Sequence, residues 1–336
     1  MTVTQEVGVQ RHEDLLRSRV PMPFSASLFP LGYPLFIESN SNAVVEIARK
    51  IWEGFPQRES SRPLHLRFVL DEASTEPRPV AVFPRLQSHL FSIVLSAEVS
   101  ATADLIEGFV SGWLTPAIIE EPEFFRYHFL EALVYSILVE QQLAPIHSAC
   151  ICWKDQGLLL CGNSGAGKTS LAYACAKRGW SFVSDDASYA IRNAVGNRVL
   201  GRPHFIRFRG SAVDLFPELG QYSSVWRPSG KPDIEVATDK LCLSATSLES
   251  TPAYLVYLRR RESGPAELLE CSRNEALKSM LSVIYSARES VRTEQKDTLS
   301  KIGQLPVFEL SYSNFDDAEL ALRTLVERGA SAYAAS

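Results

Sequence analysis

The sequence predicts an α/β protein built around a phosphate-binding loop. Three observations carry that reading: an apolar hairpin pattern over residues 146–161, a glycine-rich loop directly after it, and alternating helix and strand signals to the C-terminus. At 336 residues the chain is about twice the ~150-residue prior for one domain, so two are expected. The first, residues 1–143, reads as an α+β domain of unassigned role. It mixes strand candidates at Leu64–Leu70 and Leu90–Leu95 with helical ones at Ser41–Phe55 and Glu123–Gln142, separated by Pro- and Ser-rich breaks at Pro56–Pro63 and Ser74–Pro79.

The second domain, residues 144–336, opens with the β-branched and apolar run Ile146–Trp153. Turn chemistry follows at Lys154-Asp155-Gln156-Gly157, then the apolar run Leu158–Cys161. From Thr169 to Lys177, small and apolar residues suit a helix packed closely on a sheet, and Gly179 stands where a helix-ending glycine belongs. Trp180–Val183 returns as a strand and stops at Ser184-Asp185-Asp186. Further on, Pro252–Arg259 reads as a strand, Asn274–Arg288 as a helix, Val307–Ser311 as a strand and Asp316–Arg328 as a closing helix.

Composition narrows the function classes. Apolar residues make up 46% and charged residues 22%, which suits a packed globular core and argues against disorder over most of the length. A formal charge of −5 gives no overall attraction to nucleic acid or to an anionic membrane. Met1–Val20 carries Glu6, Glu13 and Asp14 without an apolar core, so no secretion signal is read and a cytoplasmic protein is expected. The most apolar long stretch, Phe129–Ile146, is interrupted by Glu131, Glu140, Gln141 and Gln142, which excludes it as a membrane span. Cys150, Cys152, Cys161, Cys175, Cys242 and Cys271 show no CxxC spacing and are expected to be buried, reduced thiols.

Gly162-Asn163-Ser164-Gly165-Ala166-Gly167-Lys168-Thr169 fits the Walker A pattern, in the context that pattern requires: an apolar strand before it and a helix after it. Glycines let successive backbone N–H groups turn inward around an anion, and the helix N-terminus adds partial positive charge. Lys168 is placed to reach β and γ phosphates, the Thr169 hydroxyl to ligate Mg²⁺, and Ser170 continues the phosphate-binding segment. ATP and Mg²⁺ are the expected ligands. Such a loop also needs a carboxylate near the metal, and Asp185 and Asp186 are the nearest in sequence. By themselves they read equally as a solvated turn, and His147 by itself reads as a structural histidine at a strand start.

From His147 through the hairpin and glycine loop to Lys177-Arg178-Gly179-Trp180-Ser181-Phe182-Val183-Ser184-Asp185-Asp186, order and spacing resemble the catalytic domain of the HPr serine kinase/phosphorylase family. The resemblance covers about forty residues specifically and extends more loosely to about residue 330. It implies a fold akin to phosphoenolpyruvate carboxykinases, with the loop in a mixed, partly antiparallel sheet. It also implies ATP-dependent phosphorylation of a serine hydroxyl in a protein or peptide, and a homo-oligomer. Carried over by position, Asp185 resembles the general base, Asp186 the Mg²⁺ partner and His147 the residue that tunes that base; Lys168 completes the catalytic set.

The resemblance has departures. The family carries a Glu-x-Arg-Gly segment where this chain has Arg207-Phe208-Arg209-Gly210, so arginine stands in place of an acid. A basic Pro-Gly loop is weakly echoed by Arg227-Pro228-Ser229-Gly230-Lys231, which with Arg202, His204, Arg207 and Arg209 suggests a cationic rim or a scattered solvated surface. Residues 1–143 show no matching resemblance. The alternatives are a non-catalytic nucleotide-dependent binding or switch protein, and a kinase of a small molecule such as free serine.

Overall fold

The protein is described from a computed structural model over residues 20–78, 81–223, 225–226, 232–282, 284, 286 and 288–330. The chain divides into two compact units, Met1–Val134 and Tyr135–Ser336. The division falls within the helix Ala132–Gln141, and the boundary expected from sequence, 143/144, lies just past the end of that helix.

The first unit is built on one seven-stranded mixed sheet. Its strands are β1 (Phe24–Leu28), β2 (Leu35–Ser39), β3 (Leu64–Leu70), β4 (Phe83–Gln87), β5 (Leu90–Val94), β6 (Ser100–Asp104) and β7 (Phe109–Leu114), in the order β1-β2-β3-β7-β6-β5-β4. Helix α1 (Asn42–Trp52) packs on this sheet because Val44, Ile47, Ala48, Ile51 and Trp52 recur at helical spacing and are buried. The stretch Glu123–Gln142, expected as a single helix, is interrupted. After the single turns α2 (Pro116–Ile119) and α3 (Pro122–Phe125), residues Arg126–Glu131 form a π-helical turn, and α4 (Ala132–Gln141) continues. A π turn brings residues five apart together, and here Arg126 Nε donates to Glu131 Oε1 at 2.8 Å with both side chains buried.

The second unit centres on a mixed sheet. In order across it stand β17 (Ala245–Thr246), β11 (Ser181–Ser184), β9 (Ala149–Trp153), β10 (Gln156–Cys161), β19 (Pro252–Arg260), β21 (Val307–Tyr312) and β20 (Glu267–Glu270). β9 and β10 form the expected hairpin, with Lys154 in the left-handed region at its turn. β10 pairs antiparallel with β9 and parallel with β19, so the sheet is mixed at its centre.

Alternation along the hairpin sets the two faces. Ala149, Ile151, Leu158 and Leu160 face α5 (Lys168–Ala176) and α8 (Phe315–Arg328). Cys150, Cys152, Leu159 and Cys161 face the other side, with Leu299 and Ile302 of α7 (Glu289–Ile302). Two small sheets flank this core. One is antiparallel, in the order β18 (Glu249–Ser250), β13 (Val199–Leu200), β12 (Ser188–Ile191), β8 (Leu143–Ile146); the other runs β14 (Phe205–Arg209), β16 (Pro232–Ala237), β15 (Val225–Trp226).

Three sequence expectations are corrected here. The run Ile146–Trp153 is two strands in two sheets, broken at His147-Ser148, where the Ser148 N–H donates to the Ile146 carbonyl. The helix expected over Asn274–Arg288 ends early, as α6 (Arg273–Leu281), and the fourteen-residue α7 beyond it was not foreseen. Its sequence is largely polar. One of its core positions is Gln295, which is fully buried because its amide donates to the carbonyls of Val139 and Leu143. The cysteines are all free thiols, but only Cys150, Cys152, Cys161 and Cys175 are buried: Cys242 is exposed in the turn after Leu241 and Cys271 is half-buried. The Arg227–Lys231 loop lies outside the described residues. Among the described residues, no helix is long and apolar enough to cross a membrane.

β11 delivers the two aspartates, and its position depends on a close backbone approach. A Cβ at Gly201 would lie 2.1 Å from the Val183 carbonyl oxygen and 2.7 Å from its carbon, two residues before Asp185. Backbone on both sides cannot give way as a flexible side chain does. Gly201→Ala is therefore expected to destabilise the protein by about 3 kcal/mol, the upper end for overpacking, measurable by urea denaturation.

Candidate functional site

The site forms where β10 ends and α5 begins. Gly162, Gly165 and Gly167 all have positive φ, at 144°, 93° and 95°, a region that residues with a Cβ rarely enter. Gly167 is also fixed by packing, since a Cβ there would lie 2.3 Å from the Tyr312 hydroxyl, which donates to the Ala166 carbonyl at 3.2 Å. The loop closes on itself through Ala166 N–H to the Asn163 carbonyl, and the helix starts with Leu171 N–H to Gly167. The loop thus turns through three glycines at positive φ and ends at a helix N-terminus.

A cleft of about 280 Å³ opens over this loop. Ser164, Gly165, Gly167, Lys168, Thr169 and Ser170 line it from the loop and α5, and His147, Asp185 and Asp186 line it from neighbouring strand ends. Gly162, Asn163 and Ala166 shape the loop without lining the cleft. The Lys168 side chain is buried. Its ammonium donates to the Gly162 carbonyl at 2.9 Å and lies 3.2 Å from His147 Nε2 and 3.6 Å from Asp186 Oδ1.

The two aspartates have different surroundings. Asp185 is buried, and its Oδ2 accepts the Arg207 backbone N–H at 2.8 Å. Burial pushes its carboxyl pKa up, and the Arg207 guanidinium opposes that rise. The Asp186 carboxylate is exposed, 3.4 Å from His147 Nδ1. The expectation that His147 tunes Asp185 is thus corrected: the histidine contacts Asp186. Asp185 and Asp186 lie in a bend just after β11, with Asp185 Oδ2 on the Arg207 backbone N–H of β14 and Asp186 beside His147 in the break between β8 and β9. The Thr169 hydroxyl lies 3.4 Å from the Asp185 carbonyl oxygen, on the same side of the cleft.

The arginine that replaces an acid is also placed. Arg207 Nε donates to Glu235 Oε2 at 2.7 Å across the β14–β16 ladder, and Asp233 of the same strand lines the cleft. A carboxylate therefore reaches the cleft from β16, a strand the sequence reading did not find. Arg209 lines the cleft and donates to Ser164 Oγ at 2.5 Å, whereas Arg202 lies over the Tyr135 ring and neither it nor His204 lines this cleft. Arg260 lines it as well and was missed. The signal was available: Arg259-Arg260-Arg261 ends an apolar strand, and a strand parallel to β10 brings its C-terminal end beside the loop.

Among the described residues, no group of three His, Cys, Asp or Glu side chains stands ready to cage a metal. The donors present, the Thr169 hydroxyl and the two carboxylates, fit a cation that takes one or two protein oxygens and completes its shell with phosphate and water, as Mg²⁺ does.

Two predictions follow the geometry. Gly167→Ala combines a strained φ with a clash at Tyr312 and is expected to destabilise the protein by about 2–3 kcal/mol, with Tyr312→Phe much milder, by urea denaturation. Native Asp185 holds its proton to higher pH than the ordinary value of 3.8. Unfolding free energy should therefore decline as pH rises from that value through the raised native one, and Asp185→Asn should remove the decline in urea denaturation across that range.

No family model matches the chain, and no curated protein matches it. Among solved structures, that of the HPr(Ser) kinase/phosphatase from Coxiella burnetii is similar over 55% of this chain and 94% of its own, at 13% identity and a TM-score of 0.30. At that level the likeness carries no functional argument, which rests on the geometry of the cleft.

Proposed function

We propose that this chain is an ATP- and Mg²⁺-dependent kinase that transfers the γ-phosphoryl group to a serine hydroxyl of a protein or peptide. The observation that carries the reading is convergence: a Walker A loop with its lysine, two adjacent aspartates and a histidine all line one cleft. A loop that only binds phosphate has no need of a buried carboxylate with a raised pKa beside it. A proton-accepting base works best with a pKa nearer the working pH, and burial shifts Asp185 in that direction.

In this reading Asp185 takes the proton from the acceptor hydroxyl as its oxygen bonds to the γ-phosphorus, and the bond to the β–γ bridging oxygen breaks, leaving ADP. Lys168 and Arg209 stabilise charge on the transferring group and on the departing phosphates. His147 orients Asp186, and Thr169 with Asp186 would hold Mg²⁺, which neutralises charge on the phosphate oxygens when bound. The serine acceptor follows from the resemblance of residues 147–186 to HPr serine kinases, with free serine as the small-molecule alternative.

A second reading, a nucleotide-dependent switch without transfer, is favoured by one observation. Arg207 stands where the resembled family has an acid, and its guanidinium is engaged by Glu235. Asp233 in the cleft weighs the other way.

The test is incubation with γ-labelled ATP and Mg²⁺, alone and with HPr, free serine, or serine-containing peptides encoded nearby. Asp185→Asn is expected to lower transfer by about 10²–10⁴-fold while ATP affinity stays within roughly several-fold. Lys168→Ala should weaken both. ATP binding with no labelled acceptor favours the switch, and equal loss of binding and transfer in Asp185→Asn removes that residue from the role of base.

A further inference from the structure

A second cleft, of about 610 Å³, adjoins the phosphate cleft. It is lined by the residues that follow α5, by the segment 214–218, and by the first turn of α8. The two clefts share Leu215 and Arg260, and the second has none of His147, Lys168, Thr169, Asp185 or Asp186. In-line phosphoryl transfer puts acceptor and leaving group on opposite sides of the γ-phosphorus. A hydroxyl that gives its proton to Asp185 arrives at the aspartate end, so the rest of the nucleotide departs toward the other end, where Leu215 and Arg260 stand.

The lining suits a neutral ring better than a second polyanion. Lys177 is paired with Glu218, and Arg178 with Asp316, so two of its cations are already neutralised. Its apolar wall is Leu215, Phe216 and Phe315, of which Leu215 and Phe315 are half-buried, and the Phe315 ring stacks on Phe216 at 5.4 Å between centroids and 19° between planes. The Arg260 guanidinium lies 5.9 Å from the Phe315 centroid, which places a cation at the junction of phosphate and ring sites. The cleft lies past the C-terminal end of α5, beside Lys177 and Arg178, and the nine steps from Lys168 to Lys177 span about 13 Å at ~1.5 Å per residue.

We infer that this second cleft receives the nucleoside of the nucleotide whose phosphates the loop binds, with the base against Phe315 and Leu215 and Arg260 bridging base and phosphates. The inference rests on the phosphate-loop reading proposed above, and the two fail differently in one experiment. Calorimetric titration of the full chain with ATP and with inorganic tripolyphosphate, each with Mg²⁺, separates ring from phosphate contributions. Wild type should bind ATP more tightly than tripolyphosphate. Phe315→Ala should weaken ATP by about tenfold or more and leave tripolyphosphate within about twofold, since base–aromatic stacking is lost and the loop is not.

Phe315 also packs in the core beside Phe216 and Tyr312, so Leu215→Gln provides the same comparison at a half-buried side chain outside α8. Selective loss of ATP in either variant supports the nucleoside cleft. Unchanged ATP affinity in both variants, or a parallel loss of both ligands in both, overturns it, as does a wild type that binds the two ligands equally. A wild type that binds neither removes the phosphate-loop reading itself, and the nucleoside cleft with it.

Discussion

The constraint on which the rest of the site depends is a backbone one: the chain must turn from β10 into α5 through three glycines at positive φ. That turn ends at the N-terminus of α5, and the other groups that line the cleft are arranged around it. Tyr312 holds the loop from β21, β11 on the far side of β9 delivers the aspartates to its flank, and β19 ends with Arg260 beside it. The mixed sheet makes this possible. With β9 antiparallel and β19 parallel to β10, the cleft is approached on one side by the His147 break and on the other by a strand C-terminus.

Charge at the site is balanced locally. The Lys168 ammonium is buried, so it is surrounded by acceptors, the Gly162 carbonyl, the His147 ring and the Asp186 carboxylate. Asp185, equally buried, has a backbone N–H and the field of two arginines instead of a lysine contact. Two adjacent carboxylates of identical chemistry are thereby separated in environment, one shielded with its pKa raised and one open to solvent beside a histidine. That separation is what divides base from metal partner in the proposed mechanism.

Much of the second unit was legible because its signals are local. The hairpin, the glycine loop and α5 follow from apolar runs, turn residues and positive-φ glycines, all read within forty residues. The π turn at Arg126–Glu131 and helix α7 were not legible, because each depends on a buried polar partner. Arg126 finds Glu131 only once the helix has widened, and Gln295 is a core residue only because Val139 and Leu143 present carbonyls to it. The His147–Asp186 contact escaped for a related reason. Spacing places both aspartates at a strand end, but which one faces the histidine is set by the bend after β11 and by the Arg207 amide on another sheet. Asp233 reaches the cleft only through the pairing of β16 with β14, where it stands opposite Arg209, a pairing that no local pattern encodes.

The most direct test of the central claim is a crystal structure of the protein with Mg²⁺ and a non-hydrolysable ATP analogue. The account predicts β and γ phosphates against the backbone amides of residues 163–169, with Lys168 drawn to them and released from Asp186. Phosphates bound away from this loop, or a loop whose Lys168 stays paired to Asp186 with the analogue bound elsewhere, would contradict it.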